Sequence, residues 1–519
     1  MTPWADDRER IFGRGGAAEA GGRWDLIVIG GGITGAGLLR EAGALGYRTL
    51  LLEQGDFAFG ASSRSGKLVH GGLRYLKQGQ FGVTWHSVRE RERLCRDEPD
   101  LVTRHDVLLP VCRGDPSGRA ALALGLSLYD LLGRAEGRGR LVSGEPVPAT
   151  ASGFQTHRYL GKDELSALLP QLRREGLVGG FRYGDAQTDD AALVLRVLRQ
   201  GLAMGGAAPG LEPASVALNY APVVRLSGKG VAIRDELTGR TADVRARVVV
   251  NATGPWADGV RAKSRRPLFP RLRPLRGSHL IFAADRFPLV RAVNLWHPSD
   301  SRPLYAFPWQ GVTLVGTTDL DHDRPLSEEA RISPRETDYL LSALRAYFPA
   351  LDLAERDLIS TFAGVRPVIG TGKKDPWRES REHVVWNEDG LITVAGGKLT
   401  TFRLLARDAL RVARPALGEP SCAGSPSRTG PATAIDPTGP ANRASAETDE
   451  TQRLCYAVHH LDDLLLRRTR LGLLQPAGGE RLLPQIRAGF QAALGWDDRR
   501  WDEEERRYLE IWKAYYSPS

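Results

Sequence analysis

Residues 24–53 read WDLIVIGGGITGAGLLREAGALGYRTLLLE, and the succession of patterns in this stretch decides the fold. A short apolar run from Trp24, WDLIVIG, is bounded by glycine. Apolar residues then recur at helical spacing from Ile33 to about Leu45, and a second apolar run covers Tyr47 to Leu52. Strand, helix, strand is a β-α-β unit. Gly30, Gly32 and Gly35 form G-x-G-x-x-G around Thr34 at the strand-to-helix junction. The first glycine allows a tight turn, the second lets backbone approach a pyrophosphate, and the third permits close packing of the helix. The helix N-terminus then faces the phosphates with partial positive charge. Glu53 ends the second strand a little over twenty positions on, where a carboxylate can accept from an adenosine ribose 2′-hydroxyl. Among 59 glycines a bare G-x-G-x-x-G would carry little weight, but its β-α-β setting and the correctly placed acid give it force.

The chain around this unit has 519 residues, room for two or three packed units at roughly 150 residues each. Apolar residues are 42% and charged residues 26%, which speaks against collagen-like, globally disordered and polytopic membrane classes. The net charge of +9 is too dilute to argue for nucleic acid, yet it suits an anionic substrate or an anionic lipid surface. Only nine of the 71 basic residues are lysine, so no single arginine means much without a motif around it. Cys95, Cys112, Cys422 and Cys455 have no CxxC spacing and read as reduced bystanders in a cytoplasmic protein, and no metal site is expected. The longest apolar stretch, Ala120 to Tyr129, lies between Arg119 and Asp130 and falls far short of the roughly 18 to 20 residues a spanning helix needs. Residues 1–22 carry acids early and lack an apolar h-region, so they read as a flexible leader and not a signal peptide.

Polar, glycine-bearing sequence from Gly55 to Gly72 predicts a long loop, and such loops are usually functional. Helices are expected from about Phe81 to Leu94 and over Asp189–Met204, and a capped helical turn at 163–169. Strand-like runs lie at 231–234 and 247–251, and Arg276 to Thr318 alternates short β-like segments with Pro and Gly. The predicted class is α/β, α+β overall. A Rossmann-like domain is drawn mainly from 23–103, 185–262 and 366–413, with an inserted antiparallel β-sheet domain from 104–184 and 263–365. A last strand at Leu391–Ala395 leads into a helix ending near Val412. Residues 414–451 turn to Pro, Ala, Gly, Ser and Thr, the composition of a linker. Residues 452–519 predict a small C-terminal helical domain, with helices over Arg453–Arg470 and Glu503–Tyr516.

The glycine motif alone does not separate FAD from NAD. FAD lies extended and needs backbone from several distant segments. In the loop after Glu53, Ser62, Ser63, Arg64, Ser65 and Lys67 offer hydroxyl and cationic donors to a pyrophosphate. RVVVNATGPWAD puts Ala252, Thr253 and Gly254 at a strand end, and TVAGGKLTTF places Gly396 and Gly397 at a strand-to-helix turn before Lys398, Leu399 and Thr400. A helix starting there aims positive charge at the flavin N1 and C2 carbonyl edge, stabilising the anion formed on reduction. Three spaced sites favour FAD and predict that Gly32, Gly254 and Gly397 open onto one cleft.

The runs LIVIGGGITGAG, SSRSGKLVHGGLRYLKQGQF, YGDAQTDDAALVL, VNATGPWAD, GSHLIF, VGTTDLD, FAGVRPVIG and VAGGKLTTFRLLA together resemble the FAD-dependent glycerol-3-phosphate dehydrogenases. The likeness covers roughly residues 24 to 410, and HGGLRYL with GGKLTT is its specific pair. It implies oxidation of sn-glycerol 3-phosphate to dihydroxyacetone phosphate, with electrons passed to a membrane quinone. It also implies dimerisation and peripheral attachment to the inner face of the cytoplasmic membrane. By the same resemblance Arg74, Tyr75, Arg366, Lys398, Thr400 and Thr401 line the substrate pocket. The residues agree in kind: Arg366 precedes Pro367, which biases its backbone to an extended form, and arginine grips phosphate bidentately. His70 and His279 are the candidate proton acceptors. Lys398 could equally hold the flavin N1 edge.

Phe59, Ala61 and Gly66 stand where the family's loop carries small polar residues, and the tail is shorter than the family's larger helical domain. Arg467, Arg468 and Arg470 beside an apolar helix are read as a membrane-facing patch, with Asp463 and Arg467 spaced to pair. Two alternatives keep the flavin: an oxidase that hands electrons to O2, and a relative without turnover that acts as a sensor or binding module. An amino-acid oxidase of similar fold has no motif here to recommend it.

Overall fold

The structure, a computed structural model, describes residues 3–13, 24–73, 76, 79–134, 141–142, 145–146, 154–204, 215–227, 230–263, 271–376, 379, 382–420, 451 and 453–518. All six residues of Trp24–Ile29 are buried, as expected of a central parallel strand covered on both faces. Thr49–Leu52 and Thr241–Asn251 flank it in parallel, Ser215–Leu218 and Leu391–Gly396 extend the sheet in parallel, and His383–Glu388 closes one edge antiparallel. The period-two alternation of a strand divides the core. Leu26 and Val28 pack with the helices Ile33–Ala44, Asp190–Met204 and Phe402–Leu417. Ile27 and Ile29 face the opposite layer, with Val231, Ile233 and Val244.

A second, nine-stranded sheet is fed by segments that leave and re-enter the first. Leu272–Ala283 sits between Val312–Gly316 and Leu358–Ile369, and Val102–Cys112 pairs with Leu177–Thr188, all antiparallel. Ala292–Trp296 lies parallel to Val102–Cys112. The α/β class with an inserted, mostly antiparallel sheet is the architecture observed.

The structure departs from several expectations. The stretch 1–22, read as a loose leader, holds a helix at Pro3–Phe12 whose Ile11 and Phe12 are buried against the first sheet and whose Arg8 pairs with Asp235. The helix expected to end near Val412 runs through Pro415 to Leu417, because Leu417 is buried in the core. Most of the proposed linker, residues 421–450, lies outside the described residues. The tail is helical at Leu483–Leu494 and Asp498–Tyr515, whereas the helix expected over Arg453–Arg470 is broken at 455–460, and Trp501, Tyr508 and Trp512 share one core with Phe181, Phe307 and Trp309 of the second sheet.

Arg467, Arg468 and Arg470 are buried, not membrane-facing. Arg467 Nε and Arg468 Nη1 donate to Asp56 Oδ2 at 2.6 and 2.8 Å, Arg467 also pairs with Asp462 and Asp463, and Arg470 pairs with Asp189 and Asp190. These cations lock the tail to the loop that follows Glu53.

Candidate functional site

The glycine turn is shaped by contact. Gly30 has φ +111°, and a Cβ there would stand 2.6 Å from Ala252 O, so both the turn and its neighbour require glycine. A Cβ on Gly35 would stand 1.8 Å from Gly30 O, which fixes how closely the helix approaches its strand. Glu53 ties the turn down: Oε2 accepts from Gly31 N–H at 2.6 Å and Oε1 from Gly55 N–H at 2.9 Å. Burial raises its carboxyl above the usual range, against the lowering effect of those two donors. Ser62 Oγ accepts from Ile33 N–H at 3.0 Å and so meets one of the first N–H groups of the helix.

A single cleft of about 360 Å³ runs between the two sheets. From the cofactor candidates it is lined by Gly30, Gly32, Thr34, Glu53, Ser62, Ala252, Thr253, Gly254, Gly396, Gly397, Lys398, Leu399 and Thr400. The three distant turns therefore converge. Gly35 serves the turn from behind, through its contact with Gly30. Two loop candidates do not reach the cleft. Lys67 is fully buried, with Nζ donating to Ser63 O at 2.6 Å and to Asp190 Oδ1 at 2.8 Å, and Ser63 is buried with it. Burial pulls the Lys67 ammonium down to about 8, with Asp190 opposing. The loop's basic residue at the cleft is Arg64, which donates to Tyr516 Oη at 2.8 Å and stacks on Phe59.

The substrate candidates Arg366, His70, His279, Lys398 and Thr400 line the same cleft, while Arg74 and Tyr75 lie outside the described residues. Arg366 Nη2 donates to Thr317 Oγ1 at 2.9 Å, and Nη1 reaches Thr318 O and Asp319 Oδ1, both at 3.3 Å. Lys398 Nζ donates to Ser87 Oγ at 2.8 Å. His279 is buried and stacked on Phe362, and neither ring nitrogen has a hydrogen-bond partner among the described residues. Burial, then the nearby charges of Arg366 and Lys67, hold its pKa well below the ordinary histidine value. The imidazole is neutral at pH 7, and a neutral ring offers one nitrogen as acceptor.

Tyr305, Thr317, Asp319 and Trp256 also line the cleft and were not singled out in the sequence. Thr317, Asp319 and Trp256 sit inside the family-like runs VGTTDLD and VNATGPWAD. Tyr305 stands in no recognised run and is delivered by the strand Pro303–Trp309. Among the described residues no group of His, Cys, Asp and Glu could hold a metal ion.

A family model described as FAD dependent oxidoreductase matches residues 25–403. The aerobic glycerol-3-phosphate dehydrogenase of Staphylococcus aureus (strain USA300) is 36% identical over 392 residues, covering 74% of this chain and 66% of that protein. The match thus spans just under two thirds of that relative's length. Among solved structures, glycerol-3-phosphate dehydrogenase from Bacillus halodurans complexed with FAD is similar, with TM-score 0.73 and 26% identity over 98% of both chains. L-alpha-glycerophosphate oxidase from Mycoplasma pneumoniae with FAD bound shares the fold, with TM-score 0.54 and 15% identity over 75% of this chain and 94% of that one.

Proposed function

This chain belongs to the FAD dependent oxidoreductase family, and on that premise we propose that it oxidises sn-glycerol 3-phosphate to dihydroxyacetone phosphate and passes the electrons to a quinone. FAD is its cofactor. The cleft's residues fit that group: three glycine-bearing turns open onto one channel, and the last of them, Gly396–Gly397, precedes the helical segment Leu399–Leu417. When bound, FAD supplies the acceptor for the hydride that leaves C2 of the substrate.

The observation that carries the reading is that one cleft holds the dinucleotide turns, a guanidinium and a neutral imidazole without a hydrogen-bond partner among the described residues. In it, Arg366 binds the substrate phosphate through charge-assisted hydrogen bonds. His279 takes the proton of the C2 hydroxyl, for which burial has kept it unprotonated. Lys398, beside the Gly396–Gly397 turn, adds positive charge where negative charge grows during the reaction.

A membrane surface is part of the same proposal, carried by a different element from the arginines first read that way. No helix among the described residues is long and apolar enough to cross a membrane. On Arg119–Arg134, however, Leu124 is 74% and Leu131 62% exposed, and Phe81 is exposed on the neighbouring helix Phe81–Asp97. An apolar helix face of this kind lies in the lipid interface without spanning it.

Turnover of the purified protein tests the reaction. Dihydroxyacetone phosphate formed with a quinone analogue under nitrogen, with little peroxide under air, is the expected result. Stoichiometric peroxide without quinone would mark an oxidase, and no product under either condition would reject the substrate.

A further inference from the structure

Arg366 does not lie along its own strand. Leu358–Ile369 pairs antiparallel with Leu272–Ala283, placing Leu275 opposite Arg366 and Gly277 opposite Gly364. The guanidinium of Arg366 crosses onto Gly277. A Cβ built there would stand 2.0 Å from Nη2, 2.2 Å from Nη1 and 2.3 Å from Cζ, its three nearest atoms. The conflict is therefore with the far end of a flexible side chain. Gly277 lies mid-strand, outside the positive-φ glycines, so its backbone does not demand glycine.

On its other side the guanidinium meets Thr317–Asp319, through the acceptors Thr317 Oγ1, Thr318 O and Asp319 Oδ1. That segment is itself fixed. Thr318 Oγ1 donates to the buried Glu336 at 2.7 Å and accepts from Ser278 N–H at 2.9 Å. Asp319 is 4% exposed, lines the cleft, and turns its second oxygen toward Arg302 Nη2 at 3.8 Å.

We propose that Gly277 and Asp319 are positioning residues that set the Arg366 guanidinium in the cleft, Gly277 by leaving the space it occupies and Asp319 by fixing its orientation. The proposal rests on the reading of Arg366 as the group that holds the substrate's phosphate. A carboxylate beside an anion site reduces the attraction for phosphate. What it contributes is pre-organisation: a planar fork already aimed loses less freedom when the ligand arrives. Arg302, Asp319 and Arg366 together keep one net positive charge. The arrangement selects a rigid phosphate dianion over a neutral polyol.

The test uses four flavin-loaded variants: Gly277→Ala, Asp319→Ala, Arg366→Ala and the double variant Gly277→Ala with Arg366→Ala. FAD per chain, melting temperature, the KM and kcat for glycerol 3-phosphate, and the calorimetric Kd for inorganic phosphate are measured on each. Gly277→Ala is expected to keep wild-type FAD content and melting temperature, because only a flexible side chain must move. Its phosphate Kd and substrate KM should rise tenfold or more with a smaller change in kcat, and Asp319→Ala, which removes the acceptor that aims the guanidinium, should move the same constants in the same direction. Adding Gly277→Ala to Arg366→Ala should cost nothing further. Wild-type phosphate Kd and KM in Gly277→Ala, with Arg366→Ala impaired, would overturn the positioning role and leave the proposed function standing. If Arg366→Ala itself binds phosphate as wild type does, the reading of Arg366 fails, and this inference with it.

Discussion

At Gly32 an added Cβ would stand 3.0 Å from Ser62 Oγ, in the opening where the cleft passes the helix N-terminus. Gly32→Val should purify without flavin, read from the visible absorbance per chain; yellow protein would count against the nucleotide contact. Arg366→Ala should lower kcat/KM by about 2–4 kcal/mol in transition-state binding with FAD content unchanged, as steady-state kinetics on loaded protein would show. His279 bears on pH. Folded, it resists protonation because burial and two nearby cations oppose its charge, whereas in the unfolded chain it titrates at about 6.5. Below that pH the unfolded state binds the extra proton, so stability falls by up to about 1.4 kcal/mol per pH unit for this one group. His279→Gln should flatten that acid limb, seen in urea midpoints compared at pH 7 and pH 5.5. Residue types were readable here but side-chain directions were not. Lys67 and Ser62 stand in one loop, yet Ser62 lines the cleft while Lys67 turns inward to Asp190.

Among elements, those with strong periodicity were legible and those set by tertiary contact were not. Trp24–Ile29 and Asp190–Met204 fall where apolar spacing places them. The helix Phe402–Leu417 outruns its proline because a buried leucine holds its end. The segment Asp463–Arg468 carries Arg467 and Arg468, which read from the sequence as part of a membrane-facing patch beside an apolar helix. Its cations are spent on Asp56, Asp462 and Asp463, which lie both near and more than four hundred positions away. Removing Asp56 would leave Arg467 and Arg468 short of a shared partner inside the protein. Asp56→Ala should therefore cost about 3–5 kcal/mol in denaturant unfolding, where an exposed pair would cost about 1 kcal/mol or less. The helix Arg119–Arg134 supports the opposite kind of prediction. Leu124→Asp with Leu131→Asp should abolish flotation with liposomes and leave turnover with a soluble quinone analogue unchanged. Retained flotation would place membrane contact elsewhere.

Across the whole molecule, the two sheets are each assembled from segments far apart in the chain, and the cleft between them is where those segments meet. The sequence could name the turns, because glycine spacing and strand ends are local. It could not order the packing, because the tail's share in the second sheet's core depends on contacts spread over several hundred residues. The central claim is that one cleft brings a bound flavin and a phosphate-bearing alcohol into contact. Adding glycerol 3-phosphate to the purified yellow protein under nitrogen tests it directly. The flavin absorbance should bleach with glycerol 3-phosphate and stay unchanged with glycerol at the same concentration. Flavin that stays oxidised with both, in protein carrying a full complement of FAD, would contradict the account.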